Sequence, residues 1–298
     1  MAEEARYNFC VGSEWLYYKI YTGHKTADLV LTEIFKPISE QLMQEGIIDK
    51  WFFIRYGDPK HHLRIRFHCT DKIGVGKIIA RYYDPLSQFL EQDLIWKIQL
   101  DTYNREIERY GQNTMELSET LFCYDSAIVV QFLDIIEGDE GEELRWLFGL
   151  RAIDHLLNCF MYLLEEKLVL MEGLKTGFGK EFGMSRPLKK QLDDKYRKKR
   201  SIIEQFMTFT KESHPDYELI LEILKINGEK MKPIAQQILY FRNKEQLHVN
   251  FNDLMSSYIH MLMNRLFKSK NRLNEMVCYD FLYRYYKSIY ARKKISTK

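Results

Sequence analysis

Three short stretches of this 298-residue chain carry residue types that can do chemistry. The first is HLRIRFH, residues 62–68, which alternates strictly between basic and apolar. As a strand it sets His62, Arg64, Arg66 and His68 on one face and Leu63, Ile65 and Phe67 on the other. An apolar face on a core is ordinary; a row of basic side chains opposite it asks for an anion. Arginine grips a carboxylate or phosphate through two parallel N–H bonds, and a strand fixes the angle of the fork. The pattern equally suits the solvated face of an edge strand, where basic residues discourage aggregation. Just upstream, WFFIRYG (Trp51 to Gly57) adds Arg55 to the candidates for binding an anionic substrate, beside Arg64.

The second stretch is YNREIERYG, residues 103–111. Read as extended chain, Tyr103, Arg105, Ile107 and Arg109 share one parity and Glu106 and Glu108 the other. Arg105 and Arg109 then enlarge the basic surface, unless the glutamates pair with them in a cross-strand ladder. The third is SYIHMLMNRLF, Ser257 to Phe267, with helical spacing. His260 and Asn264 are four apart and share a helix face. Histidine is suited to proton transfer near neutral pH, although one flanked by Ile259, Met261 and Leu262 also fits a core.

Other chemistries find no support. There is no GxGxxG, P-loop, HExxH or GxSxG. His61 and His62 lack acidic or cysteine companions at ligand spacing, so no metal site is expected. The five cysteines are scattered, without a CxxC pair. The 44 basic residues nearly balance the 42 acidic ones, for a net charge of +2, so no dedicated nucleic-acid surface is expected. KYRKKR and ARKKISTK read as solvated charge runs. No apolar run approaches the length of a membrane span, and the start, MAEEARYNF, is acidic, which predicts a cytoplasmic protein.

The elements that must position these residues read as α+β. WLYYKIYT (Trp15 to Thr22), WFFIRYG and HLRIRFHC read as strands, the last two as a hairpin across Asp58-Pro59-Lys60. Residues 27–46 are a helix that Pro37 kinks or splits, and 77–92 a helix that Pro85 interrupts. Residues 95–111 read as extended. Asn113 with Glu116 resembles a capping box that opens a helix over 116–138. Helices are expected near 141–169, 185–211, 215–227, 232–243, 249–269 and 272–292, with a mobile loop at 173–187. The chain is expected to be one domain, with a mixed part over about 1–138 and a helical part over about 139–298.

Taken in order, WLYYKIYTG, WFFIRYGDPKHHLRIRF, DTYNREIERYGQNTMELSETLFCYDS and IHMLMNRLF resemble the elimination domain of class I lantibiotic dehydratases, the thiopeptide-type bacteriocin biosynthesis domain. The resemblance spans nearly the whole chain. It implies a standalone enzyme that eliminates glutamate from glutamylated Ser or Thr of a precursor peptide, leaving dehydroalanine or dehydrobutyrine. It further implies that Arg66, Arg109 and His260 are catalytic, with Glu106 as a fourth member and Arg64, Arg55, Asn264 and Tyr103 contacting substrate. No cofactor is implied. The implied partners are the precursor peptide, a separate tRNA-dependent glutamylating protein and a lanthionine cyclase, with no direct tRNA binding. Two alternatives stay open: a pyridine-forming [4+2] cyclase of the same fold, and a non-catalytic peptide-presenting subunit. One departure is Gln112, where the family more often has a second glycine after ERYG.

Overall fold

The computed structural model describes residues 5–71, 73–136 and 140–296. It separates into two compact units, Met1–Ile135 with Gln236–Ser269, and Ile136–Ala235 with Lys270–Lys298. The first begins with β1 (Asn8–Phe9), β2 (Trp15–Thr22), α1 (Thr26–Leu29), a π-helical turn over Val30–Phe35 and α2 (Lys36–Gln44). It continues through β3 (Ile48–Tyr56), β4 (His62–Cys69), α3 (Gly74–Glu91), β5 (Ile95–Leu100), β6 (Tyr103–Asn104), α4 (Ile107–Tyr110) and α5 (Met115–Leu133). The second unit holds α6 (Glu140–Cys159), α7 (Leu164–Glu181), α8 (Arg186–Thr208), a 3-10 turn and most of α9 (Glu218–Asn243). The chain then re-enters the first unit with α10 (Phe251–Leu266) and ends in the second with α11 (Asn271–Ser296). No helix among the described residues is long and apolar enough to cross a membrane.

The fold class is α+β. In the first unit four antiparallel strands lie in the order β3-β4-β2-β5, and β1 pairs separately with β6. HLRIRFH is β4 and has a neighbour on both sides, so its basic face is not that of an edge strand. Its apolar face is core. Leu63, Ile65 and Phe67 are all 0% exposed, and the Phe67 ring packs on Phe35 and Tyr82. Each such side chain contributes about 1.5–3 kcal/mol on full burial. The Tyr82 hydroxyl within this core meets Ser39 at 2.8 Å, which satisfies both polar groups.

Where structure and sequence pattern differ, packing decides. Pro37 splits its helix: the π-helical turn precedes it and Pro37 falls in the first turn of α2, where no N–H is required. Pro85 and Pro233, by contrast, lie inside the continuous helices α3 and α9. Burial of Tyr82 and Leu86 around Pro85, and of Met231 and Ala235 around Pro233, offsets the lost backbone bond. The capping box does not form. Thr114 is the N-cap of α5, and the Asn113 amide instead donates to the Gln246 carbonyl at 2.7 Å. The 116–138 helix ends at Leu133 in the structure, and its last two expected residues lie outside the described ones. Residues 141–169 divide into α6 and α7 at Met161, whose φ is +58°. The expected loop at 173–187 is mostly helix: Gly173, Gly177 and Gly179 lie within α7, and only 182–185 turn. Strand parity also stops early, because β6 ends at Asn104 and Ile107 starts α4. Residues 236–269, expected with the helical part, belong to the first unit.

Candidate functional site

The site is built on the basic face of β4. Strand register aligns Phe52 of β3, Arg66 of β4 and Tyr17 of β2 in one row across the sheet. The Arg66 guanidinium carbon sits 4.5 Å from the Tyr17 ring centroid, 4.7 Å from Tyr103 and 5.4 Å from Phe52. Three aromatic faces therefore hold the cation, each attraction being about 0.5–2 kcal/mol. Arg66 is 8% exposed, and its Nε is buried with no hydrogen-bond partner. Such a charge is costly unless an anion meets it.

The outer edge of β3 is closed by side chains rather than by another strand. The Ser126 hydroxyl of α5 accepts from the Phe53 N–H at 3.2 Å. The Asn264 amide of α10 accepts from the Arg55 N–H at 2.8 Å and donates to the Arg55 carbonyl at 2.9 Å. These bonds satisfy edge groups that would otherwise be unpaired. They also carry α10 onto the sheet and bring Arg265 with it. Arg265 is 0% exposed. Its Nε donates to the same Ser126 hydroxyl at 3.1 Å, and its guanidinium lies 4.9 Å from the Phe122 ring. The Asp125 carboxyl stands 3.9 Å from one terminal nitrogen, and neither terminal nitrogen makes a hydrogen bond. Burial pushes the Asp125 carboxyl up to about 7 and the Arg265 guanidinium down to about 10.

A third arginine fixes the adjoining wall. Arg105 is 5% exposed and grips Glu119 of α5 through both carboxylate oxygens, each at 2.7 Å. Tyr103 donates its hydroxyl to the same carboxylate at 2.8 Å. Glu119 thus anchors Tyr103, which turns its ring to Arg66. The chain then bends into α4. Glu106 and Arg109 form an ion pair at 3.1 Å, both substantially exposed. Gly111 takes a φ of +78°, the left-handed conformation that favours glycine. Gln112 needs no such freedom, and its amide donates to the Ala5 carbonyl at 3.0 Å.

Arg66, Arg265, Tyr103, Glu106 and Tyr110 line one small, narrow pocket of about 30 Å³ that opens to solvent. Phe52, Phe122 and Met261 contribute apolar wall. The Tyr110 hydroxyl is buried, with the Arg109 guanidinium the side chain that approaches it. Burial is the main cause that raises its phenol to about 12, against Arg109 and Arg265, which pull it down. It is a neutral donor at physiological pH. The pocket thus combines two guanidiniums, a phenol and a carboxylate, all reaching a partly dry cavity. That set can hold a carboxylate and stabilise a second negative charge as it forms.

Of the residues singled out in the sequence, the structure brings Arg66, Tyr103 and Glu106 to this pocket, with Arg109 beside Glu106. His260 is half-buried on α10, immediately before the pocket residue Met261, so it does not occupy a closed core position. Arg64, Arg55 and Asn264 are occupied elsewhere. Arg64 stacks 3.4 Å from the Tyr56 ring centroid and donates to His62. Arg55 pairs in register with Leu63, so it has the parity opposite to Arg66, and it is bound to Asp28 and the Arg265 carbonyl. The face is also less basic than its sequence: burial lowers the His62 pKa, and His68 faces Asp49 at 2.6 Å. Arg105 is a buried strut rather than part of a basic surface. Arg265, Tyr110 and Glu119 were missed, although each lies inside a quoted motif. No group of three or more His, Cys, Asp or Glu residues able to hold a metal exists among the described residues.

Comparisons with known proteins fit this architecture. The family model described as lantibiotic biosynthesis dehydratase C-term matches residues 15–286. The subtilin biosynthesis protein SpaB of Bacillus subtilis is 27% identical over 274 residues, covering 89% of this chain and 25% of its own length. The nisin biosynthesis protein NisB of Lactococcus lactis subsp. lactis is 33% identical over 132 residues, 44% of this chain and 13% of its own. The chain therefore spans a quarter or less of the curated relatives it matches. Among solved structures, the tRNA-dependent lantibiotic dehydratase MibB from Microbispora sp. 107891 superposes with a TM-score of 0.69 at 20% identity, over 95% of this chain and 28% of that one. The pyridine synthase TbtD from thiomuracin biosynthesis superposes with a TM-score of 0.61 at 13% identity, over 91% and 97%.

Proposed function

This chain belongs to the lantibiotic biosynthesis dehydratase C-terminal family, and from that premise we propose that its arginine pocket eliminates glutamate from glutamylated Ser or Thr of a precursor peptide. The observation that carries the reading is Arg66: a ring-caged, solvent-shielded guanidinium with no carboxylate partner among the described residues, facing a cavity.

In this reading a base removes the Cα proton of the esterified residue. The electron pair left on Cα forms the Cα–Cβ double bond, the Cβ–O bond breaks, and glutamate departs with that bond pair as a carboxylate. Arg66 holds the carboxylate as its charge appears, through charge-assisted hydrogen bonds. Arg109, paired with Glu106 at the pocket's exposed side, is the cation that an approaching anionic ester meets first. Tyr110 supplies a neutral O–H to the charge developing at the substrate, and His260, on the helix that also brings Met261 and Arg265, takes the proton. The partners in this reading are the precursor peptide, the glutamylating activity that makes the ester from glutamyl-tRNA, and a lanthionine cyclase that consumes the product.

The test is mass spectrometry of a leader-bearing glutamyl-Ser peptide incubated with the purified chain. Loss of glutamate to leave dehydroalanine is expected, and Arg66→Ala should abolish it while the peptide still binds. Normal elimination by Arg66→Ala refutes the role of Arg66. An untouched glutamyl peptide, with turnover of a bis-dehydroalanine peptide, replaces elimination by cycloaddition.

A further inference from the structure

The pocket contains one more cation than the elimination reading uses. Arg265 is fully buried, yet its two terminal nitrogens find no hydrogen-bond acceptor among the described residues, and the Asp125 carboxyl is 3.9 Å away. A structural arginine in the same unit looks different. Arg105 is also buried, at 5% exposed, and its fork is filled by Glu119 at 2.7 Å. Arg265 is held through its Nε by Ser126 and by the Phe122 ring, its terminal nitrogens are left without an acceptor, and the residue lines the pocket. The edge those nitrogens form is the one suited to two parallel bonds with a carboxylate.

Substrate chemistry supplies a matching need. A glutamyl ester has one carboxyl tied up in the ester and the other free and ionised. Elimination frees the first as well, so the departing group is a dicarboxylate. One guanidinium can meet the charge present from the start and another the charge created by bond cleavage. Depth assigns them. The ester end is tethered to the peptide and stays toward solvent, so the free carboxylate reaches deepest. Arg265 is 0% exposed and both its terminal nitrogens are shut off, whereas at Arg66, 8% exposed, only Nε is.

Resting on the proposed elimination, we infer that Arg265 forms a second carboxylate subsite that recognises the free side-chain carboxylate of the glutamyl group, with Arg66 receiving the carboxylate that leaves. Arg265 is thus the residue that tells a glutamyl ester from a neutral acyl ester. Ser126 is its positioning residue, because one hydroxyl holds both the β3 edge and the Arg265 Nε. With the ester through the α-carboxyl, as a free side-chain carboxylate requires, the ammonium lies toward the exposed side, where Glu106 supplies a carboxylate.

The experiment compares wild type with Arg265→Lys, and with the double variant Arg265→Met with Asp125→Asn, which removes the buried pair together in case the single change does not fold. Circular dichroism checks the fold of each. The substrates are two leader-bearing peptides carrying glutamyl-Ser and the isosteric, neutral glutaminyl-Ser. Wild type should prefer the glutamyl ester by at least about 100-fold in kcat/KM, the order expected when a buried charged group loses its partner. The Arg265 variants should lose most of that preference, chiefly through KM, whereas Arg66→Lys should lower kcat for both esters. Calorimetric titration with free L-glutamate and L-glutamine is the second readout: wild type binds only glutamate, and the Arg265 variants bind neither. A folded Arg265 variant with unchanged preference, or wild type turning over both esters equally, overturns the inference and leaves elimination standing. No turnover of either ester overturns the proposed function; the subsite then survives only if wild type still binds free glutamate and the variants do not.

Discussion

Asn264→Ala separates two roles for one residue. The sequence places Asn264 beside His260 as a substrate contact, but in the structure both ends of its amide bond the Arg55 backbone, at 2.8 and 2.9 Å. Truncation removes two hydrogen bonds and strands one N–H and one C=O on the β3 edge. A net loss of about 1 kcal/mol per bond, plus the desolvation cost of the groups left unpaired, gives about 2–4 kcal/mol. At about 2–4 °C per kcal/mol for a unit of this size, Tm should fall by about 5–15 °C. The assay is thermal and urea unfolding of the purified variant, with elimination measured well below the new midpoint. Activity there should fall as well, because the same two bonds carry Arg265 to the pocket. Unchanged Tm with abolished glutamyl-peptide binding would refute the docking role and restore Asn264 as a ligand contact.

Two further outcomes follow from the surrounding charges. Glu119→Gln takes the bidentate carboxylate from buried Arg105, leaving it the exposed Glu116 carboxylate at 3.5 Å, and weakens the bond to Tyr103, so urea unfolding should show a loss of about 3 kcal/mol; a loss below about 1 kcal/mol would mean that Glu116 alone suffices to balance Arg105. His61 gives a pH dependence. Its Nδ1 lies 2.8 Å from the Thr22 carbonyl, its Nε2 is buried without a partner, and burial lowers its pKa from 6.5 to about 4. The unfolded chain takes up this proton below about pH 6.5 and the folded chain only below about 4. Unfolding therefore binds a proton within that window, and stability drops as pH falls through it. Urea midpoints at pH 7 and pH 5 should differ less in His61→Gln than in wild type; an equal difference in both refutes the assignment.

The strand alternation of HLRIRFH was legible because period-two burial is a strong constraint: a slip of one residue would expose Leu63, Ile65 and Phe67 together. Helix limits were less so, since Pro85 in the first unit and Pro233 in the second are absorbed by burial that local pattern does not reveal. In the site, residue type identified Arg66, but parity carried too far misread the next segment. Arg105 and Arg109 share strand parity only on paper. The chain leaves β6 at Asn104, so Arg105 turns inward to Glu119 while Arg109 stays outside with Glu106. Arg55 carries the same lesson in reverse, because an odd position on β3 lies opposite Phe52 and cannot share the face of Arg66. Arg265 could not be singled out from its type alone. What distinguishes it is the absence of an acceptor for buried guanidinium nitrogens in a residue of the pocket wall, which only the assembled fold exposes.

That absence separates recognition from support. Four arginines of the first unit are nearly closed off from solvent: Arg55, Arg66, Arg105 and Arg265. Where a buried guanidinium serves as a strut, this fold gives it acceptors: Asp28 and the Arg265 carbonyl for Arg55, and both oxygens of Glu119 for Arg105. The unit is therefore not simply tolerant of buried positive charge. Arg66 receives aromatic faces instead of a carboxylate, and Arg265 receives one hydroxyl and a distant acid whose own burial raises its pKa to about 7. Ring faces stabilise a cation without filling its N–H positions, and an acid at 3.9 Å whose burial favours its neutral form only partly balances the charge. Both arrangements leave guanidinium donors without an acceptor. A close, bidentate carboxylate in either place would make the unit more stable and would also occupy the donors that an incoming carboxylate needs.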